Sequence, residues 1–145
     1  MSECSFFRRR DAAATRAAIL ESARAAFVAS GYDGVGVREI AKGAGVTAML
    51  INRYFGSKEE LFAEVLAQAN KKPIITTPEM LHAPDKAERF SRALLEVTRP
   101  GATELDGFLI MLRSISNDRA LEIAKRVIED HYQKNFSAVL AGEAA

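Results

Sequence analysis

The sequence predicts an all-α chain. No stretch alternates polar and apolar residues with period two for long enough to make a strand, and helix start and stop signals recur along its length. Residues 36 to 58 add a third mark. Ala41 is small where two helices must cross closely, Gly45 suits a turn that needs positive φ, and Ile51 is a branched apolar residue able to pin a second helix on the first. Small, glycine and branched apolar at this spacing are what a helix-turn-helix requires.

The elements follow in order. A first helix is expected from about Asp11 to Ser30, with Ile19, Ala23, Phe27 and Ser30 on one stripe and Gly31 as its stop. Gly36 caps a second helix and Thr47 a third. Ser57-Lys-Glu-Glu60 is a capping box that opens a fourth helix, whose inward face is Leu61, Phe62, Val65, Leu66 and Ala69. Pro73, Pro78 and Pro84 then break the chain, so 71–84 reads as a loop or short turns. Asp85-Lys-Ala-Glu88 is a second capping box, beginning a helix with Phe90, Leu94 and Val97 inward and Arg99-Pro100-Gly101 at its end. Thr103 to Asp106 starts another helix. Asn117-Asp118 caps the last, which runs to about Leu140.

On the third helix, Ile51, Tyr54 and Phe55 share one face at i, i+3 and i+4 and are expected to pack inward. Ala48, Met49, Asn52 and Arg53 then face out. Asn can pair with adenine and Arg with guanine through two hydrogen bonds each, while Met and Ala suit a thymine methyl. Thr47 and Lys58 stand at helix N-termini, where free amides and the helix dipole favour a phosphate. The plain alternatives are a solvated helix face, a Thr47 that only caps and a Lys58 that only solvates.

With these residues in place the chain resembles the tetracycline-repressor (TetR) family of bacterial transcriptional regulators. The resemblance starts at Thr15-Arg16-Ala17-Ala18-Ile19-Leu20. It runs through Ala25-Ala26-Phe27, Gly31-Tyr32-Asp33, Val37-Arg38-Glu39-Ile40-Ala41 and Ala44-Gly45-Val46-Thr47 to Arg53-Tyr54-Phe55-Gly56-Ser57-Lys58-Glu59-Glu60-Leu61. It implies a three-helix DNA-binding domain over 11–58, joined by a fourth helix to a helical ligand-binding and dimerisation domain over 59–145. The implied DNA-contacting set is Arg38, Thr47, Ala48, Met49, Asn52, Arg53, Tyr54 and Lys58. Gly36 and Val37 are secondary candidates, as are Arg8, Arg9 and Arg10 in a basic, flexible tail over 1–10 that could follow the minor groove or the backbone.

Three residues depart from the family pattern. Gly36 stands where Thr or Ser is common, Ala48 where a Lys or Arg often follows the cap, and Asn52 where a Tyr is usual. The last exchanges a common phosphate-contacting aromatic for a base-reading amide. Members also carry further helices whose final pair builds a dimeric four-helix bundle, so this chain is expected to lack them or to dimerise differently.

Composition sets bounds that agree. Residues 1–58 hold nine Lys/Arg against five Asp/Glu, a net +4, and residues 59–145 eleven against fourteen, a net −3. A basic end on an acidic remainder fits a chain that meets phosphates at one end. The longest apolar runs, such as Phe108 to Leu112, are far shorter than the roughly 20 residues of a membrane span. The N-terminus has no secretory pattern, and Cys4 is the only cysteine, so a cytoplasmic protein without an intrachain disulfide is expected.

The second half offers no catalytic constellation. His82 and His131 lie far apart without a metal-ligand pattern, and neither a phosphate loop nor a nucleophile elbow appears, so no enzyme, metal or cofactor is expected. Phe90, Leu94, Phe108, Met111, Leu112 and Ile115 could line an apolar ligand cavity, although such residues are more often plain core. The long last helix carries Leu121, Ala124, Val127, Ile128, His131, Asn135 and Phe136 on one side, with Val139 and Leu140 following, a stripe that could also serve as a pairing seam. The expected protein is a DNA-binding, ligand-responsive repressor whose partners are a double-stranded DNA operator, a second copy of itself and an unknown small-molecule effector, with no membrane. The competing reading is a helical scaffold or partner-binding protein that keeps the helix-turn-helix shape without operator binding.

Overall fold

The computed structural model describes residues 2–71 and 82–143, with side chains placed for 11–71, 82–131 and 133. Within them the chain is helical throughout, without a strand. The helices are α1 (Ser2–Ser30), α2 (Val37–Ala44), α3 (Ala48–Phe55), α4 (Lys58–Ala69), α5 (Lys86–Val97), α6 (Asp106–Arg113) and α7 (Asp118–Glu143). Most of the expected 71–84 loop lies outside the described residues.

α1 begins nine residues earlier than its apolar stripe suggests, so the tail expected to be flexible is helical from Ser2. No Gly or Pro interrupts residues 2–30, and Arg and Ala are good helix formers, so nothing stops the helix from propagating backwards. Ile19, Ala23 and Phe27 are buried on the predicted stripe. Ser30 is exposed, because the last turn has already run past the core where Gly31 turns the chain.

The turn between α2 and α3 closes as its glycine requires. Gly45 sits at φ 69°, its amide donates to Lys42, and the Val46 amide donates to the Ala41 carbonyl at 2.9 Å. These two bonds satisfy carbonyls that the helix end would leave open. Ser22 donates to the Ile40 carbonyl at 2.8 Å, and a Cβ on Gly43 would overlap the Ser22 hydroxyl, so this α1 side chain lies directly against the backbone of α2. Ser57 caps α4 as predicted, accepting from the Glu60 amide at 3.1 Å, and Asn117 caps α7, accepting from the Ala120 amide at 2.8 Å. Asp85 makes no cap. Its carboxylate instead accepts from Arg89 one turn on, at 2.8 Å.

One continuous core holds α1 to α4 against α6 and α7. Phe62 of α4 stands at its centre, edge-on to Phe27 with ring centroids 5.1 Å apart and to Tyr32 at 4.9 Å. From α7 it receives Ala120, Ile123, Ala124 and, partly buried, Val127, spaced as one helical face. That face shares Ala124 and Val127 with the predicted stripe, of which Leu121 is exposed. Asn135, Phe136, Val139 and Leu140 have side chains outside the described ones.

Polar contacts tie the same halves together. Arg24 of α1 pairs with Asp106, a buried carboxylate at the start of α6. The Asn117 amide donates to Asp33 at 2.8 Å, and Arg119 of α7 holds Glu59 of α4 at 3.0 Å. Gly31, at φ 71°, lies so close to α6 that a Cβ would overlap the Arg113 carbonyl oxygen. Gly31→Ala is therefore expected to cost about 2 kcal/mol, from left-handed backbone strain and the displaced carbonyl. Urea denaturation checks it, and an unchanged midpoint would mean that the turn relaxes freely.

Candidate nucleic-acid interface

α3 divides as its sequence demands. Ile51 and Phe55 are buried, Tyr54 packs half-buried on the core, and Met49, Asn52 and Arg53 are exposed. Met49 is 79% exposed, an apolar side chain that costs free energy in water unless a partner covers it. Ala48, expected outward, is half-buried against the core instead, because the first turn of α3 leans on α2. Its methyl seats the helix. Arg38, one residue into α2, is exposed, Gly36 is exposed at its N-cap position, and Val37 packs partly on the core.

The N-terminus of α3 is open. Thr47 is extended (φ −88°, ψ 154°) and exposed, but its hydroxyl makes no cap bond, so the first amides of α3 lack a side-chain acceptor. Gly36 likewise leaves the first amides of α2 uncapped. Each of these helix starts thus presents a positive dipole end with no side-chain cap, the arrangement that receives a phosphate.

Lys58, expected as a phosphate contact with plain solvation as the alternative, is not simply solvated. It is half-buried, with Nζ 4.3 Å from the centre of the Tyr32 ring. Burial pulls its pKa below the ordinary lysine value, and nearby Asp33 partly offsets this. Burial in turn raises the pKa of Tyr32, helped by Glu59 and Asp33. On the other flank Arg16 lies over the Phe55 ring at 4.9 Å and pairs with Glu64, bracing the end of α3 against α1 and α4. The side chains of Arg8, Arg9 and Arg10 lie outside the described ones.

Residues 19–65 match the family model for bacterial regulatory proteins of the tetR family. That match runs from within α1, through α2 and α3, into α4. The chain is 41% identical over 69 residues to the HTH-type transcriptional repressor SCO4008 of Streptomyces coelicolor, a stretch covering 48% of this chain and 36% of that protein. Its fold is similar to the crystal structure of NalD, the secondary repressor of the MexAB-OprM multidrug efflux pump in Pseudomonas aeruginosa. That match has 25% identity and a TM-score of 0.53, over 80% of this chain and 60% of NalD. A second NalD structure, of the native protein, matches at 26% identity and a TM-score of 0.51, over 77% and 58%. The chain therefore spans between about one third and three fifths of the length of these relatives.

Beyond the matched residues, the candidates for a ligand cavity are not gathered into one among the described residues. Phe90, Leu94, Phe108, Leu112 and Ile115 are exposed, and only Met111 packs partly on the core. Helical geometry explains this. α6 turns Asp106, Gly107 and Ile110 to the core, which leaves Phe108 and Leu112 on its far side, and α5 buries only Val97. A groove of about 360 Å³ lies instead between α1 and α4, lined in part by Arg16, Leu20, Arg24 and Val65. Both arginines there are already paired with carboxylates.

The residues that sequence reasoning missed are those whose role depends on a distant partner. Tyr32, Arg16 and Ser114 meet their contacts across 26, 48 and 82 positions of sequence. No local pattern marks such pairs.

Proposed function

We propose that this chain is a sequence-specific transcriptional repressor that binds duplex DNA through α3, as a homodimer, and leaves it when a small-molecule effector binds. The carrying observation is the exposed face of Met49, Asn52 and Arg53 on a helix whose N-terminus, like that of α2, has no side-chain cap. Base-reading side chains and a phosphate-receiving helix end occur on one element, α3, as operator recognition needs. The likeness to SCO4008 and NalD, both repressors, supports the sign of regulation. We assign 11–58 as the DNA-binding domain and 59–145 as the regulatory part, acting in the cytoplasm. Pairing follows from size, because one short recognition helix covers too little of a groove to select a site alone.

Fluorescence anisotropy on the duplex upstream of its own gene tests this, with a random duplex as control. The expected result is tighter binding to the former and affinity that falls steeply with salt. Equal affinity for both duplexes would sink operator recognition. Lys58→Ala is expected to weaken binding to every sequence and lower the salt slope by about one. Light scattering tests pairing, and a monomer at all concentrations, bound to DNA or free, would remove the homodimer.

A further inference from the structure

The Tyr32 ring is held from several directions. It is edge-on to Phe62 at 4.9 Å, stacked with Phe27 at 6.3 Å, and its backbone amide donates to the Ser114 hydroxyl at 3.0 Å. Ser114 is itself buried and donates to the Ile110 carbonyl at 2.7 Å, so the anchor belongs to α6. On this platform stands the Lys58 ammonium, at the first position of α4. A lysine stem has four rotatable bonds and ordinarily loses their freedom when its charge is fixed on a partner. Here the stem is already packed and the charge already located. Asp33, Glu59 and Arg119 are the charged groups around the ring.

We propose that Tyr32 is a positioning residue for Lys58, holding the ammonium beside the N-terminus of α4 so that a DNA phosphate meets a charge already in place. The proposal rests on the DNA-binding reading above. Ser114 sets where the ring stands, so a movement of α6 displaces the lysine without touching it. Ring and ammonium attract through the ring's negative face, which Phe supplies as well as Tyr and an aliphatic side chain does not.

The experiment is a double-mutant cycle read by anisotropy on a random-sequence duplex across a salt series, with circular dichroism recording folding. Tyr32→Leu is expected to weaken binding about two- to fivefold, the worth of one exposed cation–ring contact, whereas Tyr32→Phe keeps wild-type affinity. In the Lys58→Ala background Tyr32→Leu is expected to cost nothing further. A loss of the same size in both backgrounds would show that the ring acts only through the fold and would overturn the proposal, as would wild-type binding by Tyr32→Leu. Should Tyr32→Leu fail to fold, a ring-fluorinated phenylalanine in place of Tyr32 keeps shape and packing while draining charge from the ring face. It is expected to bind more weakly than Tyr32→Phe, and equal binding would overturn the proposal. A wild-type chain that binds no duplex at any salt overturns the DNA-binding reading and this proposal with it.

Discussion

Phe62→Ala is expected to destabilise the chain by about 3–5 kcal/mol and to abolish DNA binding at the same time. The side chain is fully buried, and removing it leaves a void that Phe27 and Tyr32 cannot both fill. Domains of this size have about 5–15 kcal/mol in total, so most of the margin goes. The functional loss has its own route. Phe62 is the residue through which α4 grips both α1 and the turn at Tyr32, and Lys58 sits one turn earlier on the same helix. Urea denaturation and anisotropy on one preparation check both parts. Phe62→Leu keeps most of the volume and should recover much of the stability. A Phe62→Ala chain with the wild-type midpoint would mean that the core collapses into the void.

The helix-turn-helix was legible because its constraints are local. Ala41, Gly45 and Ile51 are fixed by backbone geometry within eleven residues, and they stand in the structure as the spacing requires. The Ser57 cap and the inward face of α4 were equally visible. What the sequence hid was anything decided by which neighbour arrives. Phe90 and Leu94 repeat at helical spacing, yet a stripe says only that a helix has an apolar side, not that another element covers it. Lys58 was legible as a charge at a helix N-terminus, but nothing near it in sequence announces the Tyr32 ring beneath it. Arg24 and Asp106, 82 residues apart, form an ion pair between the two halves that no motif describes. Thr47 had the right residue type for a cap but leaves the bond unmade, which is the more useful outcome if a phosphate is to take its place.

The largest expected effect on recognition lies in Asn52 and Arg53. Each is exposed on α3, outside the packed face of Ile51 and Phe55, so neither contributes to the core and both can be removed without unfolding the chain. Asn52→Ala and Arg53→Ala are each expected to cost about 1–3 kcal/mol on the cognate duplex. The double variant should lose up to about 6 kcal/mol, less where the adjacent residues share a base step, since neighbours rarely add. On random DNA the two should part. Asn52 carries no charge, so Asn52→Ala should leave non-specific affinity and its salt slope as they were. Arg53→Ala removes a cation and should weaken both duplexes, the cognate one more. Titrating four chains against two duplexes at several salt concentrations separates these contributions. If Asn52→Ala loses the same factor on both duplexes, the amide reads no base, and recognition must rest on Arg53, Arg38 and the apolar cover of Met49 alone.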